Sequence, residues 1–454
     1  MTEWEGRQAA PALQVVDRKQ APCFKYDFAH YQKAPDLIPM WLADMDFATA
    51  PAVLAALQQR VAHGAFGYAP RGEAYDGAVL AWLREHQHWS PEAEWMIVTP
   101  GVNAALRCCV RTLTAPGESV LLLAPVYGPF YDAIRQNGRR VVELPLRYAA
   151  GRYSLDAEQM EALAAREKVK LFLLCNPHNP IGRVWLADEL AAMGEICLRH
   201  GVTIVSDEIH SDFIFPGHHH TSIASLSEDL CEASVVCTAP TKTFNLAGLP
   251  LANIFVRNAG RRARIRQELL AAGMTSGNAL SYTACTAAYL HGAAWQAECL
   301  AYIVENRRYL EARLRECVPD IVLPPQEGTY LAWLDFSAFP YRGQALDAFL
   351  EERARLWLSP GWEYGTGGEA FQRMNLACSA PLPAEAAGHA REKSKIRPIA
   401  ERSAVGRILC RCFFSLPAAA GREGERFAFP AAVCFFSAAR GQPRCACVRL
   451  SSMV

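Results

Sequence analysis

Several kinds of segment are missing from this 454-residue sequence. It contains no run of eighteen apolar residues, which excludes an ordinary membrane-spanning helix. The opening stretch MTEWEGRQAAPALQVVDRKQ has no apolar core of the kind a secretory signal carries. Charge of one sign is not in excess either: 46 Lys and Arg stand against 46 Asp and Glu. Bulk charge therefore points to neither nucleic acid nor an anionic membrane as partner. Cysteine is present, sixteen in all, but the residues are scattered without framework spacing. Buried free thiols and a cytoplasmic location are the expectation, not a disulfide scaffold. No internal repeat is visible.

Short apolar runs are present, and each ends in a polar or proline-containing loop. They are WMIVT (95–99), SVLLLAP (119–125), KLFLLCNP (170–177), TIVSDE (203–208) and SVVCTAP (234–240). Between them lie stretches with helical apolar spacing, as in residues 51–65, where a proline opens the helix. Continuous apolar strands alternating with helices predict an α/β fold with a mostly parallel sheet buried on both faces. In such sheets ligands sit beyond the carboxyl ends of the strands, so the residues ending each run are the ones to examine. From about residue 290 the pattern changes. A long amphipathic helix (AWQAECLAYIVENRRYLEARLREC) is followed by the strands EGTYLAWLDF (327–336) and FQRMNLAC (371–378). This segregation predicts a smaller α+β unit.

Five pieces of sequence carry chemistry. SDEIH (206–210) puts Asp207 at a strand end, where a buried carboxylate needs a cation or donors. Serving as an N-cap is the plainer use of the same residue. In TAPTKTFNLAGLP (238–250), Lys242 stands among three threonines. Hydroxyls there suit a phosphate, and a desolvated lysine can form an imine. LCNPHNPIGRVW (174–185) reads as a turn on its own. VTPGVNAAL (98–106) offers a helix N-terminus to a phosphate, and LAPVYGPFY (123–131) places Tyr127 after a strand.

Taken in order, TPG-helix, PVYGPF, NPHNPxG, SDEIH, TKTFNLAG and FQRMNLA, these motifs make the chain similar to the fold-type I pyridoxal 5′-phosphate enzymes, the class I/II aminotransferase superfamily. The likeness runs from about residue 25 to about 380. It implies that Lys242 holds the cofactor as a Schiff base and that Asp207 pairs with its ring nitrogen. It places Asn179 and His210 at the phenolic oxygen, Tyr127 on the ring face, and Gly101, Val102, Asn103 and Thr241 at the phosphate. Tyr68, in HGAFGYAP, would reach the phosphate of a neighbouring subunit, implying a homodimer with shared sites. Arg373 would clamp the carboxylate of a small amino-acid substrate, a planar anion suited to a guanidinium. No metal is implied.

Within that superfamily IPMWLADMDFATAP (38–51), HGAFGY, NPHNPIGRVW, SDEIHSDFIF and EGTYLAWLDF resemble the cystathionine β-lyase branch, the PatB/MalY-type C–S lyases. The implied reaction is α,β-elimination of cystathionine- or cysteine-type substrates to thiol, pyruvate and ammonia, with Lys242 as the base at Cα. Trp41, Asp44 and Met45 are the candidates for the substrate pocket. An aminotransferase would use the same core residues, and some members of the branch also bind a transcription regulator, so both alternatives stay open.

The implied organisation is an N-terminal segment (1–48) contributing to the small domain, a large cofactor-binding domain (49–288), a small domain (289–383) and a basic tail (384–454). The tail holds ten Arg, no Asp and five cysteines. A frameshifted or read-through end, a disordered basic tail, and a metal site on two Cys-x-Cys pairs compete there. No histidine or second CxxC with ligand spacing supports the last of these.

Overall fold

The computed structural model describes residues 13–27, 37–274 and 277–378. The tail readings, including the two Cys-x-Cys pairs, lie outside these residues.

Seven strands form the main sheet. They are β1 (Met96–Thr99), β2 (Ser119–Ala124), β3 (Arg140–Pro145), β4 (Val169–Cys175), β5 (Thr203–Asp207), β6 (Ser234–Thr238) and β7 (Ala252–Phe255), in the order β1-β7-β6-β5-β4-β2-β3. Only β7 runs antiparallel to its neighbours β1 and β6. The other pairs are parallel.

The apolar runs become strands because both faces of the sheet are covered. Leu121, Leu123, Phe172, Leu174 and Ile204 point into one buried cluster, while Val120, Leu122, Leu171, Leu173 and Val205 point into another. Alternate residues of the same strand thus feed two separate cores, the period-2 geometry of a pleated strand. β3 and β7 are two strands the apolar-run reading did not pick out. β3 alternates buried and more exposed positions at the sheet edge, and β7 is only four residues long.

Helix α1 (Pro51–His63) opens on its proline and closes at Gly64, whose φ of +77° is the left-handed conformation of a helix end. Helix α2 (Val102–Leu113) follows β1 directly. Helices α3 (Ala279–His291) and α4 (Ala293–Cys317) come late in the chain, and α3 packs on α1. Along α4 the buried Trp295, Cys299, Ile303, Leu310 and Leu314 recur at helical spacing and mark one core-facing stripe.

Past α4, Leu331–Asp335, Phe371–Asn375 and Ser359–Pro360 form a three-stranded antiparallel sheet. The N-terminal pair Ile38–Pro39 lies parallel to Leu356–Trp357, so early residues are fixed beside late ones. One buried cluster runs from Met40 through α3 and α4 to Cys378. The eleven cysteines among the described residues are all free, and ten are buried. No helix among the described residues is long and apolar enough to cross a membrane.

Candidate active site

The carboxyl ends of β1, β2, β4, β5 and β6 share one edge of the sheet, and that edge collects the candidate residues. Asp207 is level with Cys175 on β4 and Cys237 on β6. The turn after β4 delivers Asn179, whose carbonyl accepts from the Tyr127 backbone N–H at 3.0 Å, tying the loops after β4 and β2 together. After β6 a single helical turn, Pro240–Thr243, carries Lys242. That turn is braced from behind: Thr243 donates to Asp212 at 2.5 Å, and Trp82 donates to the same carboxylate at 3.0 Å. Gly101 precedes α2 with φ +113° and ψ +159°, a backbone that side-chain-bearing residues rarely adopt. A Cβ added to Gly101 would meet nothing within 4 Å, so the N-terminus of α2 faces open space. Val102 is buried and begins the helix, and Asn103 follows it in the first turn.

Burial shifts the proton affinities at this edge. The Lys242 amine donates to the Ala43 carbonyl at 2.6 Å. Its withdrawal from water pulls its pKa down to about 8; Arg373 adds to that fall, while Asp44 and Asp207 oppose it. Desolvation likewise lifts Asp207 to about 7, against one backbone N–H from Ile209 at 3.2 Å. His210 is lowered to about 3 by burial, helped by Lys242 and Arg373, and therefore stays neutral. Tyr127 is raised to about 12, chiefly by burial.

A second group completes the opposite wall. Arg373 is buried, on the strand Phe371–Asn375. It donates to the Asn179 side-chain oxygen at 3.1 Å, to the Trp41 carbonyl at 2.9 Å and to Ser359 at 3.0 Å, and it lies over the Tyr364 ring. Trp41 stacks on Trp357 with ring centroids 4.6 Å apart. Asp44 accepts from Arg18 at 2.8 Å. Met45 is fully buried with its sulfur 3.7 Å from Cys299, so it packs behind the wall. Thr241 is buried in the same turn as Lys242. Tyr68 is fully exposed, on a stretch that also exposes Phe66.

Sequence reading passed over how residues 41–45 are held. Five successive carbonyls accept side-chain donors. Trp41 receives Arg373 and Ser359, Leu42 receives Asn375, and Ala43 receives Lys242 and Tyr330. Asp44 receives Asn375 again, and Met45 receives Arg18 and Asn245. Tyr330, Asn375, Ser359 and Asn245 thus belong to the site's frame. Asn245 and Asn375 were within quoted motifs, but nothing in their spacing announced a backbone target 200 or more than 300 residues away.

The residues present fit the expected cofactor. Asp207 is a buried carboxylate short of a directly bonded cation, as the partner of a protonated ring nitrogen would be. The buried Nδ1 of His210 and Nε of Arg373 have no hydrogen-bond partner. Buried polar atoms of this kind are normally satisfied, so both are free to meet a bound group. The open space before α2 suits a phosphate at a helix N-terminus. No cluster of three or more metal-ligating side chains occurs among the described residues.

Comparison with known proteins agrees with this geometry. The sequence profile described as aminotransferase class I and II matches residues 36–388. Cystathionine beta-lyase PatB of Bacillus subtilis is 42% identical over 344 residues, spanning 76% of this chain and 89% of its own. Protein MalY of Escherichia coli is 33% identical over 367 residues, spanning 80% of this chain and 93% of its own. Among solved structures, cystalysin from Treponema denticola, described as containing a pyridoxal 5′-phosphate cofactor, superposes with a TM-score of 0.78 at 34% identity. That match covers 80% of this chain and 93% of cystalysin.

Proposed function

The chain belongs to the class I and II aminotransferase family, and we propose that, as a pyridoxal-phosphate-dependent enzyme of its C–S lyase branch, it eliminates a thiol from cystathionine- or cysteine-type amino acids to leave pyruvate and ammonia. The observation that carries the cofactor chemistry is the meeting of Lys242 and Asp207, at the edge of the main sheet, with Arg373 on the opposite wall, the lysine brought down to about 8 and the carboxylate up to about 7; the likeness to cystathionine beta-lyase PatB favours elimination over transamination.

The bound cofactor supplies a covalent attachment for the substrate amine and a sink for the electron pair left at Cα. The protein's residues do the rest. Arg373 takes the substrate carboxylate through its guanidinium, whose Nε has no other partner. That contact orients the Cα–H bond toward Lys242. The Nζ of Lys242 removes the Cα proton; an amine with a pKa near 8 can both accept and return a proton near neutrality. Asp207 keeps the ring nitrogen protonated, and the neutral His210 and Asn179 attend the phenolic oxygen. Gly101, Val102, Asn103 and Thr241 receive the phosphate. Trp41 and Asp44 shape the side-chain pocket, with Met45 behind them. Tyr68, exposed on this chain, completes the phosphate site of a second copy in a homodimer.

The test is direct. The purified protein should show the near-ultraviolet or visible absorbance of lysine-bound pyridoxal phosphate. On adding cystathionine it should release thiol and pyruvate together. Consumption of amino donor only when a keto acid is supplied, without thiol, would instead make it an aminotransferase. Absence of the absorbance band would defeat the cofactor assignment.

A further inference from the structure

The Ala43 carbonyl oxygen has two donors on it. Lys242 Nζ lies at 2.6 Å and the Tyr330 hydroxyl at 3.0 Å. A carbonyl has two lone-pair directions, so the pair fills its acceptor capacity. Tyr330 is fully buried, and its ring is pinned edge-on by Phe213 at 5.1 Å and His210 at 5.7 Å. Its hydroxyl is therefore fixed in place, while Lys242 is the partner that must come and go. We propose that Tyr330 is a positioning residue for Lys242: by donating to the Ala43 carbonyl it fixes the direction in which that oxygen receives the amine and weakens the oxygen's hold on it.

The physics is that of a shared acceptor. One donor draws electron density from the oxygen, so the second bond is weaker than it would be alone. A carbonyl favours an ammonium over an amine, because the charged donor makes the stronger bond. Tyr330 reduces that preference and keeps the lysine easier to deprotonate. The remaining charged and titratable groups around Lys242 are Asp44, Arg373, Asp207 and His210. None of them bonds the Ala43 carbonyl, so the effect of Tyr330 is separable from theirs. Burial holds the Tyr330 phenol well above its ordinary range, so it remains a donor wherever Lys242 titrates.

This inference rests on the role given to Lys242 above, and its test keeps the two apart. In cofactor-free protein, the rate of reductive methylation at Lys242, read by peptide mass spectrometry across pH, reports the amine without any turnover. For Tyr330→Phe the midpoint should move up, so that labelling near pH 7 falls about three- to ten-fold while labelling near pH 10 is unchanged. Replacing Tyr330 with 2,3-difluorotyrosine, a stronger donor of the same shape, should move the midpoint down. Midpoints that stay put, or that move in the same direction for both variants, would overturn the proposal. A uniform loss of labelling at every pH would do the same, because it indicates structural damage only. Borohydride reduction of the holoenzyme that traps cofactor on a different lysine would overturn the role of Lys242 itself, whatever Tyr330 does.

Discussion

Two lysine amines among the described residues, Lys25 and Lys242, are withdrawn from water, and their surroundings are opposite. Lys25, fully buried near the N-terminus, lies 3.1 Å from Asp46, 3.9 Å from Asp44 and 3.1 Å from the Cys378 sulfur. Tyr26 donates to the other Asp46 oxygen at 3.0 Å, and Arg18 approaches the same two carboxylates. Every charge there has an opposite charge at hand, and the Lys25 pKa is raised despite its burial. Lys242 meets only a carbonyl at bonding distance, and its pKa falls. The same side chain is locked in its charged form in one place and left ready to release its proton in the other. Saturated pairing marks a structural cluster, and incomplete pairing marks a site that awaits a ligand.

Lys242→Ala should break this contrast most sharply, with turnover falling by about 10³-fold or more while the fold is retained. Full activity in that variant would remove Lys242 from the chemistry. Arg373→Lys should lower kcat/KM by roughly 10²-fold, because a point charge replaces a planar fork. Cofactor absorbance should persist, and its loss would mean that Arg373 holds the site together and does not read the substrate.

Asp207→Asn should weaken cofactor retention, measured by dialysis, about ten-fold or more, since an amide cannot hold the ring proton as a carboxylate does. In cofactor-free protein the same change should be stabilising. The folded pKa of Asp207, about 7, lies above its ordinary 3.8. The folded state therefore binds the extra proton between those values, and wild-type stability falls as pH rises through that window. The variant should gain roughly 2–4 kcal/mol over wild type above pH 7 and almost nothing below pH 4. Thermal melts at both pH values check the sign.

Lys25→Met should act chiefly on stability, costing about 3 kcal/mol by stranding buried carboxylates. The remaining folded enzyme should keep its turnover, with any change in pH profile arising through Asp44, 3.9 Å from Lys25. A shifted pH profile with an unchanged melting temperature would make the two lysines alike in kind.

The sheet-edge half of the site was legible in the sequence. Asp207, Asn179 and Lys242 each follow a short apolar run, and a buried strand that ends in a polar residue delivers that residue to the carboxyl edge whatever the details of packing. The sheet itself was legible for the same reason, since β2, β4, β5 and β6 are each built around a short apolar run. Strand direction was not. Nothing in Ala252–Phe255 distinguishes an antiparallel strand from a parallel one, because direction is set by where the connections lie. The role of the Ala43 carbonyl was also invisible. Every residue has a carbonyl, and only tertiary structure decides which one meets a lysine 199 positions away. Tyr330 sat in a quoted motif as a strand residue, but its hydroxyl had no assignable partner until residues 41–45 were in place.

Because residues 41–45 are gripped by their peptide oxygens, the identities of their side chains are largely free of the task of holding them there. Each of the five carbonyls would be offered unchanged by almost any amino acid. A change of side chain at Trp41 would therefore leave in place the oxygen that receives the Lys242 amine, whereas Asp44 also holds Arg18 through its carboxylate. What this stretch presents through its side chains and what it holds through its main chain are carried by different atoms of the same few residues.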